Sequence, residues 1–147
     1  MKLLLQKVTQ SSVTVNEEII GQIGAGYLLF IGIVSGDTSA QAELLAEKVV
    51  KLRLFDSKEG KMNDLSILDT KGDILVVSQF TLAGSTQKGN RPDYSAAAAP
   101  DDAKVLYEYF IRKLQELGVG NVQSGQFGAY MNVTILNDGP VTLIMER

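Results

Sequence analysis

Within four consecutive positions, Ser78, Gln79, Phe80 and Thr81 bring two hydroxyls and an amide to the end of the apolar run Ile74–Val77. Polar groups at the end of a core strand need partners or a purpose, and satisfying nearby backbone is the commoner use of a lone Ser or Thr. On that reading Phe80 is simply core. The chemistry open to these residues is narrow, because the chain contains no histidine and no cysteine. That removes the commonest general base, the usual partner of a serine nucleophile, thiolates, and the commonest transition-metal ligands. Catalysis here must rest on hydroxyls, carboxylates, lysine, backbone amides or the substrate itself.

Two other stretches hold chemistry-bearing types. Between Ala83 and Pro100, Lys88, Arg91, Pro92 and Tyr94 put two cations and an aromatic close in sequence. They suit a phosphate-bearing chain, although a solvated loop is the commoner use of such residues. Asn137-Asp138-Gly139-Pro140 is a run of turn formers, and a hairpin between two strands is its default reading.

The elements that must position these residues follow from periodicity. Ile74–Val77 is continuously apolar and branched, as in a strand covered on both faces, with Lys71-Gly72-Asp73 turning into it. Leu3–Val8, Ser12–Asn16 and Ile19–Ile23 read as strands, the last two forming a hairpin. Tyr27–Val34 is a second buried strand in which Gly32 signals a close backbone approach. Thr38 and Gln41 fit a capping box opening a helix to about Arg53, and Pro100 opens a second helix that ends at Gly118. Asp56–Asp69 is a polar connection. Strands return at Asn121–Ser124, Tyr130–Leu136 and Val141–Met145.

With 147 residues, 45% of them hydrophobic, the chain is expected to form a single domain over 1–147. The expected fold class is α/β: a mostly antiparallel, curved, barrel-like sheet with two main packing helices. A net charge of −3 argues against broad nonspecific nucleic-acid binding but leaves room for a local basic rim. The apolar run after Lys2 is too short for a signal peptide or membrane span, which predicts a cytoplasmic protein with no membrane association.

Ser78-Gln79-Phe80-Thr81-Leu82, the Lys88-Gly89 and Arg91-Pro92 pairs, and Asn137-Asp138-Gly139-Pro140-Val141-Thr142 together resemble the D-aminoacyl-tRNA deacylase family. Gly60-Lys61-Met62-Asn63 and the pair Phe127 and Met131 extend the similarity over essentially the whole chain. The resemblance implies hydrolysis of the ester joining a D-amino acid, or glycine, to the 3′-terminal adenosine of tRNA, with no cofactor and no metal. It implies oxyanion stabilisation by the backbone at Phe80 and Thr81, with Ser78 and Gln79 positioning the substrate. It also implies a cis Gly139-Pro140 bond that reaches across a homodimer interface and excludes L-aminoacyl groups. Phe127 and Met131 would flank the adenine, and Lys88 and Arg91 would contact tRNA. With no histidine to activate Thr81, assistance by the ribose 2′-hydroxyl is the preferred route over a covalent threonine intermediate.

The chain departs from the family pattern at several points. Lys7 stands where arginine is common, Gln126 where a basic residue is frequent, and Asp93-Tyr94 in place of Ser-Phe, while Asp64 is an extra loop residue. Further readings stay open, of an enzyme and of two noncatalytic kinds. The enzyme is an esterase using Thr81 or Ser78 as nucleophile with Asp138 as base, and the others are a noncatalytic tRNA- or ligand-binding module and a plain structural dimer.

Overall fold

The computed structural model describes residues 1–147. Its framework is a long first strand, β1 (Lys2–Val15), to which three other strands pair. The C-terminal half of β1 forms an antiparallel hairpin with β2 (Glu18–Ile23), and its N-terminal half pairs antiparallel with β3 (Gly26–Gly32). The three expected strands before residue 24 are therefore two, because Leu3–Val8 and Ser12–Val15 run on without a break.

Beyond β3 the sheet becomes parallel: β3 pairs with β6 (Asp73–Ser78), which pairs with β7 (Val122–Ser124). The sheet curls until Gly21 of β2 lies against β7, where an added Cβ would sit 3.0 Å from the Ser124 carbonyl. The result is a nearly closed, curved mixed sheet, in line with the expected fold class.

Helix α1 (Ser39–Lys51) begins as its sequence predicts, with Thr38 as N-cap and Gln41 completing the capping box. A small hairpin of β4 (Arg53–Phe55) and β5 (Leu65–Ser66) follows, then a single helical turn, α2 (Ile67–Thr70), capped by Ser66. Helix α3 (Pro100–Glu116) has Pro100 in its first turn, where a missing N–H costs nothing.

The continuous apolar character of β6 follows from its two covered faces. Ile74 and Val76 join the larger core beneath α1 and α3, with Leu45, Val49, Phe110 and Leu114. Leu75 and Val77 face the smaller core inside the curl, with Val8, Val13 and Leu28. A strand buried on both sides cannot alternate, which explains its sequence.

A second expectation fails at the other end of the chain. Asn137–Pro140 does not turn a hairpin: β8 is a single strand, Asn132–Glu146, antiparallel to β1 throughout. Residues 132–137 pair with the second half of β1 and 142–146 with its first half, so the tetrad is an irregularity between them, with the register shifting around Val8. Gly139 sits at φ 112° and the Gly139–Pro140 peptide is cis. The turn-forming residues bend a strand out of its ladder instead of reversing it.

Candidate active site

At the end of β6 the chain leaves the sheet at Ser78, and Phe80–Ala83 form a 3₁₀ turn. Two contacts fix this exit. The Gln79 N–H donates to the Ile31 carbonyl at 2.8 Å, and the turn packs onto Gly32. A Cβ at Gly32 would stand 2.8 Å from the Gln79 carbonyl oxygen and 2.9 Å from Leu82 Cβ, so the close approach read from the sequence is present and needs glycine. The Gln79 side-chain amide donates to the Thr81 hydroxyl. Within the turn the first bonded amide is that of Leu82, to the Gln79 carbonyl at 3.2 Å, which leaves the Phe80 and Thr81 amides without a partner in it.

Ser78, Gln79 and Phe80 border a cavity of about 590 Å3. Its other walls come from Ile31 of β3, from the segment leading into α3 (Ala97 and Ala98) with Pro100 at its start, and from the loop between β7 and β8, with Phe127 and Met131. Lys, Arg, Asp and Glu are all missing from the lining, so a molecule held there meets apolar surface, hydroxyls and backbone. No three carboxylates gather at a spacing suited to a metal ion.

Phe80 corrects the sequence reading: 60% of its surface is exposed at the cavity mouth, because the strand has already ended before it. Thr81 is exposed as well, while Ser78 and Gln79 are half-buried.

Tyr107 is a wall residue that its sequence gave no reason to single out, since helical spacing assigns it to the core face of α3. It is indeed 3% exposed, yet its ring lines the cavity and tilts against Phe127 at 5.7 Å between centroids. Its hydroxyl donates to the Val76 carbonyl at 2.9 Å, with the Gly125 carbonyl 3.4 Å away. Burial pushes this phenol up to about 12. Gly125 in turn leaves room for Met131, whose Sδ lies 2.6 Å from where a Cβ would stand.

Gly139 and Pro140 lie elsewhere. Ser78 is level with Ile31 and Leu3 across the sheet, whereas Asp138 pairs with Lys7, which is level with Tyr27 and Ile74. Four residues of strand, about 13 Å, separate the two rows. Within one chain, then, Asp138 is out of reach of Ser78 and Thr81, and the esterase reading that used it as their base does not fit.

Beside the bulge, the Lys7 ammonium sits 3.1 Å from the Asp138 carboxylate and 5.3 Å from the centre of the Phe55 ring, which stacks on Tyr27. The Tyr27 hydroxyl is buried without a partner, and burial pushes its ionisation upward.

Lys88 and Arg91 are exposed on the loop closed by Ser85 and Asp93, at the same end of the molecule as Phe80. The Asp93 carboxyl accepts from the Ser95 N–H at 2.9 Å, which holds it below the usual carboxylate range.

Comparison with known proteins gives a consistent result. Residues 4–146 match the family described as D-Tyr-tRNA(Tyr) deacylase. A D-aminoacyl-tRNA deacylase of Thermosipho melanesiensis is 50% identical over 99% of this chain and 97% of its own length. That of Bacillus velezensis is 53% identical over 99% and 98%. Among solved structures, one described as c-Myc DNA Unwinding Element Binding Protein superposes with a TM-score of 0.95 at 40% identity, covering 100% of this chain and 99% of that one. The fold is also that of a probable eukaryotic D-amino acid tRNA deacylase, with a TM-score of 0.84, 21% identity and 98% and 97% coverage.

Proposed function

The chain belongs to the D-Tyr-tRNA(Tyr) deacylase family, and from that premise we propose that it hydrolyses the ester between a D-amino acid and the terminal adenosine of tRNA as a cytoplasmic proofreading enzyme. The observation that carries the reading is the cavity at the end of β6, apolar, free of charged side chains and bordered by the strand exit at Ser78–Phe80.

The adenine occupies the apolar part of the cavity between Phe127 and Met131, which offer ring and thioether surface. The ester carbonyl then lies at the 3₁₀ turn, where the Phe80 and Thr81 amides receive the negative charge that develops on its oxygen. Ser78 and Gln79 hold the substrate and the turn. Water adds to the carbonyl carbon, the bond to the ribose O3′ breaks, and the O3′ leaves with a proton. The ribose 2′-hydroxyl assists this proton movement, since the lining supplies no ionised acid or base. The products are the free D-amino acid and tRNA.

Chirality is assigned to Gly139 and Pro140 of a second copy. In one chain these residues lie about 13 Å along the strands from Ser78, so a filter built from them reaches the cavity only from a partner. The outer edge of β8 pairs with nothing, and Ile135, Leu136 and Ile144 are exposed along it, Ile144 to 73%. An edge of 15 residues with apolar side chains calls for a cover, and a second copy supplies it. Backbone carbonyls at Gly139 and Pro140 would hold the substrate ammonium and leave no space for an L side chain. Glycine, which has none, would be admitted, so glycyl-tRNA is a second substrate.

The test pairs D-tyrosyl-tRNA with L-tyrosyl-tRNA in chelator and follows loss of each ester. Rapid loss of the D ester alone is expected, with sedimentation giving twice the monomer mass. Loss of both esters would sink the chiral filter, and loss of neither would sink the deacylase reading.

A further inference from the structure

Phe80 and Tyr94 stand together at the cavity mouth, 60% and 38% exposed, with ring centroids 5.1 Å apart and planes at 69°. Local structure holds Tyr94 there. Its ring lies on the bare Cα of Gly84, where a Cβ would come within 2.7 Å of the ring. Ser85 and Asp93 exchange backbone hydrogen bonds of 2.8 and 2.9 Å, closing the loop that returns Tyr94 to Phe80. The closed loop, residues 86–92, contains Lys88 and Arg91 and no acidic residue. Neither cation takes part in an ion pair. Two exposed aromatic rings beside two free cations, continuous with a cavity that Phe80 itself lines, form the combination used to hold single-stranded nucleic acid: π-faces for bases and cations for phosphates. In a chain of net charge −3, such a local basic loop is where a polyanion would be drawn.

We propose that Phe80 and Tyr94 form a stacking platform for the nucleotide immediately 5′ to the terminal adenosine, with Lys88 and Arg91 taking the phosphates on either side of it. The proposal rests on the deacylase reading and extends it from the adenosine to the unpaired end of the tRNA. Tyr94 would then act on affinity for the tRNA end and not on the reacting ester.

Two substrates separate these roles: D-tyrosyl-tRNA, and the D-tyrosyl ester of adenosine alone, which has no preceding nucleotide. In Tyr94→Ala the ratio of KM for the tRNA to KM for the adenosine ester rises about tenfold, and Tyr94→Phe restores it, because stacking needs the ring and not the hydroxyl. An unchanged ratio, or equal losses on both substrates, overturns the proposal in favour of a purely local packing role. Should the wild type cleave neither ester, the deacylase reading falls by itself, and the platform is read from binding of the oligoribonucleotide ACCA by fluorescence anisotropy. There Tyr94→Ala weakens binding about tenfold, and Lys88→Ala lowers the salt slope by about 0.7. Equal affinity of wild type and Tyr94→Ala for ACCA would refute the platform.

Discussion

Lys7 and Asp138 form an ion pair, 3.1 Å from Nζ to Oδ2, that ties the middle of β1 to the irregular centre of β8. The Lys7 side chain is 12% exposed and Asp138 is 42% exposed, so the pair is partly screened on one side only. Phe55 gives the ammonium an aromatic face on one flank, in a position where it also stacks on Tyr27. The bulge holding Gly139 and Pro140 is thus fastened by charge to the neighbouring strand at the point where the backbone ladder is interrupted.

Lys7→Ala removes both contacts, and solvent screening limits the cost to about 1 kcal/mol of stability. For a chain of this size that lowers the melting midpoint by roughly 2–4 °C. Catalysis suffers more than stability, with kcat/KM on D-tyrosyl-tRNA falling at least tenfold, because small displacements of positioning groups are costly. Lys7→Arg keeps the charge and recovers most of the activity. A variant that loses stability while its kinetics on both enantiomers stay unchanged would show that the pair only holds the fold.

Gly32 is the point where the sheet admits the 3₁₀ turn. In Gly32→Ala the added methyl meets the Gln79 carbonyl and Leu82 Cβ, both closer than van der Waals contact allows, so the turn must move outward. The expected cost is about 1–3 kcal/mol in stability, together with a loss of kcat on the order of 100-fold as the Phe80 and Thr81 amides shift. Melting curves beside single-turnover rates decide the matter: normal rates in a destabilised variant would mean that the turn does not place the reacting groups.

What could be read from the sequence was what local periodicity and capping encode. The strand Asp73–Ser78, both long helices and the Thr38–Gln41 box are each specified by neighbours in sequence, and Gly32 revealed a packing contact because an isolated glycine in a buried strand has few other uses. The misreadings came from long-range pairing. Asn137–Pro140 has the composition of a turn, and only its pairing with β1 on both sides decides that it is a bulge. Phe80 has a core residue's side chain but lies past the last residue of β6. Tyr107 lines the cavity with its ring while its hydroxyl bonds the Val76 carbonyl, 31 positions away, and no helical pattern encodes either contact. Family resemblance named the motif residues; their separation into two sites, offset by about 13 Å along the strands, required the register of three strands.

Acid and alkali should both destabilise the fold; the buried Tyr27 and Tyr107 phenols act on the alkaline side alone, and one surface contact acts on both sides. The Tyr109 hydroxyl donates to the Glu43 carboxylate, and with Lys113 nearby this holds Glu43 below the ordinary carboxylate range. Asp69 is lowered by the Ser66 N–H and hydroxyl, and Asp93 by the Ser95 N–H. For groups with depressed folded pKa values the stabilisation is present above the unfolded value, near pH 4, and is lost as pH falls through the folded one. Tyr109 is raised, chiefly by its bond to Glu43, so its contribution is complete below about pH 10 and is lost as pH rises through its folded value. The urea midpoint should therefore hold a plateau between about pH 5 and 9 and fall on both sides. Tyr109→Phe removes the largest influence on Glu43 together with the titrating phenol, so both limbs become shallower while Ser66→Ala flattens only the acid limb. Midpoint curves for wild type and Tyr109→Phe that ran parallel from pH 2 to 11 would mean that the contact makes no net contribution to folding.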